Sequence, residues 1–245
     1  MHGLGIDPAD GALFIATHTG LFRSPEGSTS AVRVGSSSQD TMGFTVAGPG
    51  HFFGSGHPGA GEAGPPNLGL IESTDAGESW EAVSLGGQAD FHVLRYASDR
   101  IYAFDGLSGL ILVSGDGGRT WQQRRPPAPV IDLAIDPTDP RRIIIATERG
   151  LAVSADEGAS WQALGSDVGL LAWPRTERLY LIDATGQVQL SDDGGKRWAR
   201  EVGSIRGQPT ALVAPAGETL YAALVDGTVL GSSDGGASWQ VRSSQ

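Results

Sequence analysis

The 245-residue chain has no cysteine, only two methionines and only five histidines, and every histidine lies before residue 93. Without cysteine there are no disulfides and no thiolate metal ligands, and the compartment stays open. Charge is sparse and one-sided: Lys and Arg number 17 against 28 Asp and Glu, for a net charge of −11. That balance excludes a surface for nucleic acid or anionic lipid, both of which need clustered positive charge. No apolar run approaches the roughly 20 residues of a membrane-spanning helix. No signal-peptide pattern is visible at the start. Met1-His2-Gly3-Leu4-Gly5 already reads as a strand, which leaves room for an export segment upstream.

Glycine is what the chain has in excess. With 37 Gly and 14 Pro, about one residue in five is one or the other, against an ordinary share of about 12%. The 39% hydrophobic content is enough to bury a core, which excludes disorder. The glycines follow no three-residue period, which excludes collagen. Both residues disfavour helix, so many short strands joined by frequent turns are expected.

One motif recurs. Ser73-Thr-Asp75-Ala-Gly77-Glu-Ser79-Trp80 returns at Ser114–Trp121, Ser154–Trp161, Ser191–Trp198 and Ser232–Trp239, with aspartates Asp116, Asp156, Asp193 and Asp234. Ser24-Pro25-Glu26-Gly27 is a degenerate first copy. The leading serines are 49, 41, 40, 37 and 41 residues apart. An Asp two residues before a Gly makes a tight turn, its carboxylate accepting backbone N–H bonds while the Gly takes positive φ. The Trp is expected to pack between neighbouring units.

The pattern S-x-D-x-G-x-[ST]-W resembles the Asp-box (BNR) repeat of sialidases, sortilin-type receptors and photosystem II assembly-factor propellers. The resemblance spans nearly the whole chain. It implies an all-β, six-bladed β-propeller of four-stranded antiparallel blades. In it the box is the hairpin turn between a blade's third and fourth strands, so these aspartates are structural. Spacing of about 40 residues with four strands per period fits that architecture. The predicted blades of this single 1–245 domain are 2–36, 41–86, 91–126, 130–165, 168–203 and 209–243. In the fourth, 130–135, 142–146, 151–153 and 161–164 read as strands. Such blades close without a strand borrowed from the opposite terminus, and an incomplete ring is the alternative.

Candidate function lies where the copies diverge. At the start of the inner strand, three consecutive blades carry His2, Met42 and His92, while the others carry Ile131, Val168 and Thr210. At the end of the antiparallel second strand, the residues are His18, His57, Asp105, Glu148, Asp183 and Asp226. In a propeller both positions lie at one mouth of the central channel, so His2, His18, Met42, His57 and His92 are expected to converge there. His51 starts a second strand and belongs to the opposite face. Imidazole with thioether and no thiolate suits copper, Met selecting Cu(I) and His serving either oxidation state. Asp40 and Asp90, each two residues before Met42 and His92, are candidates to orient the imidazoles or to form turns. A loop about ten residues longer than elsewhere, from Gly56 to Asn67, springs from His57.

These readings make the protein an exported, periplasmic or extracellular, monomeric propeller that binds a copper ion without catalysis. Segments such as Ala16-Thr-His18-Thr-Gly and Met42-Gly-Phe are similar to bacterial Asp-box proteins labelled glycosyl-hydrolase-like, and such proteins tend to be exported. The alternatives are a glycoside hydrolase-like enzyme using the acidic set Asp105, Glu148, Asp183 and Asp226, and a scaffold that binds another protein. A sialidase is disfavoured. It needs an arginine triad and a Tyr nucleophile, whereas the four Tyr here (96, 102, 180 and 221) sit in strand patterns.

Overall fold

The computed structural model describes residues 1–198 and 200–244. Residue 199, inside the fifth predicted blade, lies outside the described residues. These residues form 24 strands and no helix, in six four-stranded antiparallel sheets. The first sheet is β1 (Gly3–Ile6), β2 (Leu13–Thr17), β3 (Gly20–Ser24) and β4 (Val32–Arg33). The second is β5 (Asp40–Gly48), β6 (His51–His57), β7 (Leu70–Ser73) and β8 (Glu81–Ser84). The third is β9 (Phe91–Ala97), β10 (Arg100–Asp105), β11 (Leu110–Ser114) and β12 (Gln122–Arg124). The fourth is β13 (Val130–Ile135), β14 (Ile143–Thr147), β15 (Gly150–Ser154) and β16 (Gln162–Gly165). The fifth is β17 (Leu170–Arg175), β18 (Arg178–Ile182), β19 (Gln187–Ser191) and β20 (Arg200–Ser204). The sixth is β21 (Pro209–Val213), β22 (Leu220–Leu224), β23 (Thr228–Ser232) and β24 (Gln240–Ser244). Each sheet falls within its predicted blade or overruns it by about one residue, and each joins four consecutive strands.

The chain divides into two compact units, residues 1–123 with 243–245 and residues 124–242. In the first, the inner strands β1, β5 and β9 pack side by side, as β13, β17 and β21 do in the second. Strand sequence follows depth. The second strands of most blades are near-continuous apolar runs, such as Leu13-Phe-Ile-Ala-Thr17 and Ile143-Ile-Ile-Ala-Thr147, and both of these are wholly buried. A strand covered on both faces needs no polar side. The fourth strands β8, β12 and β16 are polar and largely exposed.

Adjacent blades share a core, and the two-residue period of a strand divides its side chains between cores. On β6, Phe52 packs with Phe14, Ala16 and Phe44 from the first blade and from β5. Its neighbour Phe53 packs with Phe91, Leu94 and Ile101 of the third blade. In the second unit, Ile144 and Ala146 join Leu171, Trp173 and Leu179 of the next blade.

The Asp-box turns form as expected. In the first full copy, Ser73 Oγ donates to Asp75 Oδ1 at 2.8 Å and accepts from Gly77 N at 2.8 Å. Asp75 also accepts from Ser79 N at 2.9 Å and Ser79 Oγ at 2.6 Å. The bonds from the leading serine to its Asp and from the box Gly to that serine recur at Ser114, Ser154, Ser191 and Ser232. These glycines have φ between 80° and 92°. The carboxylates of Asp75, Asp116, Asp156 and Asp234 are held as anions by these donors, the side-chain hydroxyls first. Asp75, Asp156 and Asp234 are drawn down to about 2.

The Trp residues tie blades together unevenly. Trp121 Nε1 donates to Ser84 Oγ of the preceding blade at 3.0 Å, and Trp161 Nε1 to the Arg125 carbonyl at 3.0 Å. Trp239 instead donates to Gly236 of its own box at 3.0 Å.

Candidate metal centre

The divergent residues of the first three blades all lie in the first unit. His2 precedes β1, anchored by its backbone N–H to the Ala16 carbonyl at 3.0 Å. His18 follows β2 in the turn to β3, a turn closed by Thr17 Oγ1 donating to the Gly20 carbonyl at 2.8 Å. Asp40 is the first residue of β5, at the start of the next blade. His18 Nδ1 lies 3.0 Å from Asp40 Oδ2, and His2 Nε2 lies 3.6 Å from Asp40 Oδ1. His2 Nε2 is also 3.1 Å from His18 Nδ1, with the rings edge-on at 85°. One ligand atom from each of the three lies within 4.8 Å of the other two.

The electrostatics leave His2 neutral. Burial, and then the neighbouring His18 imidazole, push its pKa down to about 4, against an opposing pull from Asp40. A neutral imidazole keeps the lone pair that a metal needs. Asp40 Oδ1 is buried without a hydrogen-bond partner, a costly state for a carboxylate oxygen. A cation at this point would satisfy it.

The remaining candidates gather around Asp90. His92 Nε2 lies 2.9 Å from Asp90 Oδ2, and His57 Nε2 lies 3.8 Å from the same oxygen. His57 Nδ1 lies 2.8 Å from the Pro66 carbonyl, in the long loop. The four histidines of the set read from the sequence thus stand at two aspartates, Asp40 and Asp90. Met42 sits on β5, half-buried, two residues from Asp40. His51 lies at the opposite end of β6 from His57, paired with Glu72 Oε1 at 2.6 Å.

In four of the six blades the residue of the divergent column is a bulge residue at the start of the inner strand. Met42 is the extra residue between the pairs Thr41–Gly56 and Gly43–Ser55. His92, Ile131 and Thr210 are the extra residues at the matching points of β9, β13 and β21. A bulge re-aims the side chain it inserts. Gly56, at φ 146°, makes the close approach possible, since a Cβ there would collide with the Asp40 carbonyl. Gly106 leaves room for the His92 ring, which a Cβ would meet at 3.1 Å.

The acidic candidates are engaged in turns. Asp105 accepts from Asp90 N at 2.9 Å, Leu107 N at 3.2 Å and Ser108 Oγ at 2.5 Å. Asp183 accepts from Thr185 N at 2.8 Å and Gln187 N at 3.0 Å, and Asp226 from Thr228 N at 2.9 Å. Glu148 is exposed in the turn after β14. Tyr102 and Tyr180 are wholly buried.

Glu62 was not singled out in the sequence. Its carboxylate accepts from Ser38 N at 2.6 Å, Gly59 N at 3.1 Å and Ser37 Oγ at 3.2 Å. It pins the long loop to the segment leading into Asp40. The only signal for it was an acid inside a Gly/Pro-rich insertion.

A family model described as "Sortilin, neurotensin receptor 3" (Sortilin-Vps10) matches residues 69–187. No curated protein matches the sequence. Among solved structures, the chain is similar to the GH74 xyloglucanase from Xanthomonas campestris, with 19% identity and TM-score 0.63 over 98% of this chain and 45% of that one. It is also similar to an ancestral GH74 enzyme, with 16% identity and TM-score 0.63 over 94% of this chain and 36% of that one. YCF48 bound to D1 peptide matches with 15% identity and TM-score 0.59, over 98% of this chain and 80% of that one. The chain thus spans less than half the length of the two GH74 proteins. At these identities the likeness concerns the fold. With five boxes making the same internal bonds and six four-stranded antiparallel sheets, the chain resembles the Asp-box repeat β-propellers.

Proposed function

We propose that the protein is a non-catalytic propeller that binds a transition-metal ion, copper before others, through His2, His18 and Asp40, and serves in metal handling or delivery. The observation that carries this reading is the convergence of two imidazoles and a carboxylate within 4.8 Å. The unpartnered Asp40 Oδ1 supports it. Nitrogen and oxygen donors without thiolate suit Cu(II) and Zn(II), and the general affinity order of divalent ions puts copper above zinc. Met42, two residues from Asp40, is a soft donor for Cu(I). The same reading puts the protein outside the cytoplasm, away from the thiol pools that keep that compartment reducing.

The fold decides between binding and catalysis in neither direction, since the GH74 neighbours are enzymes and the YCF48 neighbour is bound to a peptide. Against a carboxylate-based glycosidase stands the use of Asp105, Asp183 and Asp226 as turn acceptors. The test is titration of metal-free protein with Cu(II), with metal analysis of the product. Stoichiometric copper, lost in His18→Ala, is the expected result. Absence of copper together with hydrolysis of an aryl glycoside would replace this reading with the enzymatic one.

A further inference from the structure

We propose that His57, Asp90 and His92 form a second metal-ion site, one blade on from the first and sharing two of its three positions; this rests on the metal-binding reading above. The first site takes the residue at the start of a blade's inner strand, the residue ending its second strand, and the Asp heading the next blade's inner strand. In the first blade these are His2, His18 and Asp40. One blade on they are Met42, His57 and Asp90, and His92 joins from the bulge two residues after Asp90.

The proton on His57 carries the argument. Its Nδ1 lies 2.8 Å from the Pro66 carbonyl, which only accepts. Nδ1 therefore bears the hydrogen, and in the neutral ring Nε2 presents its lone pair. Nε2 lies 3.8 Å from Asp90 Oδ2, the oxygen that also meets His92 Nε2 at 2.9 Å. A cation between His57 Nε2 and Asp90 Oδ2 would be held by both. Donors each about 2.0–2.2 Å from an ion stand roughly 3–4 Å apart, and the His57 Nε2–Asp90 Oδ2 separation of 3.8 Å falls in that range. An imidazole whose other nitrogen donates to a backbone carbonyl is the usual arrangement of a metal-ligating histidine. The inserted loop supplies that carbonyl, which gives it a role in the site.

Asp90 adds a second, independent observation. It is 7% exposed, and its Oδ1 is buried with no hydrogen-bond partner. The flanking His57 and His92 side chains are 37% and 45% exposed, so an ion has a path from solvent. The two sites adjoin, because Asp40 and His57 are cross-strand partners in the β5–β6 ladder. The class of ligand is again a divalent ion of the copper–zinc type.

The experiment counts equivalents of cupric chloride bound by the full chain, using calorimetry and the Cu(II) electron paramagnetic resonance signal. Wild type is expected to bind two equivalents, the double variant His57→Ala/His92→Ala one, and His18→Ala one with a different signal. Both mutated imidazoles of the double variant are substantially exposed, and unchanged thermal melting confirms its fold. Full stoichiometry in the double variant overturns the second site. A wild type binding one equivalent that only His18→Ala removes also overturns it, while sparing the first site. Absence of binding in every protein overturns both.

Discussion

Asp40 and His57 stand opposite each other at one end of the β5–β6 ladder, yet their side chains serve different neighbours. The Asp40 carboxylate lies 3.0 Å from His18 of the preceding blade, whereas His57 Nε2 lies 3.8 Å from Asp90 of the following one. One backbone pair thus holds a member of each of two imidazole–carboxylate groups. The second blade offers one side chain backwards and one forwards.

Substituting His18 by Ala removes one of the three donors around Asp40. His18 is 67% exposed on its side chain, so the fold will survive. Copper affinity at the first site is expected to fall by at least about 10- to 100-fold, the range seen when even a supporting partner of a ligand is lost. An unchanged Kd by calorimetry would remove His18 from the site.

Ser154→Ala tests the box. Ser154 is buried, donates to Asp156 Oδ1 at 2.7 Å and accepts from Gly158 N at 2.7 Å. Its loss strands a buried N–H, which costs about 1–3 kcal/mol. A urea midpoint equal to that of wild type would show that the turn is held by other means.

Acid should act through the boxes. Asp75, Asp156 and Asp234 titrate at about 2 in the folded chain against an ordinary 3.8. Their folded values are depressed, so their contribution is present above pH 3.8 and is lost as pH falls through about 2. Melting temperature should hold steady down to about pH 4 and then fall, with a shallower fall in the triple Asp→Asn variant. Equal acid slopes in the two proteins would contradict this account.

Core position and outer-strand position should differ sharply. Phe52 is fully buried, with its ring 4.7 Å from Phe14 and 5.5 Å from Phe44. Phe52→Ala should cost about 3–5 kcal/mol. Val32, on the short strand β4, is 62% exposed, and Val32→Ala should stay within about 0.5 kcal/mol. Comparable losses in chemical denaturation would mean that the blades do not pack as described.

Glu62→Ala should free the segment before Asp40. The Ser38 amide, bonded to Glu62 at 2.6 Å, is expected to exchange its hydrogen faster, and copper affinity to drop moderately. Unaltered exchange at Ser38 would show that the loop is held elsewhere.

The sequence alone determined the blades. Ser, Asp, Gly and Trp at fixed offsets are local chemistry: each box closes through bonds between residues at most four apart, so its turn is written in a single stretch of chain. The apolar second strands were legible for the same reason, because a wholly buried strand has no polar side. The candidate ligands were legible as aligned columns, and Asp40 and Asp90 as Asp-x-Met and Asp-x-His pairs that either orient the imidazoles or form turns. Their partition was not legible. Which imidazole faces which carboxylate depends on bulges at Met42 and His92 that shift the register by one residue and on packing between strands of successive blades. Likewise, nothing local in the sequence joins Glu62 to Ser38 or His57 to Pro66; the path of the inserted loop brings those atoms together. Local turn chemistry is carried by neighbours in the chain, whereas the grouping of ligands is carried by neighbours in space, and only the tertiary structure decides those.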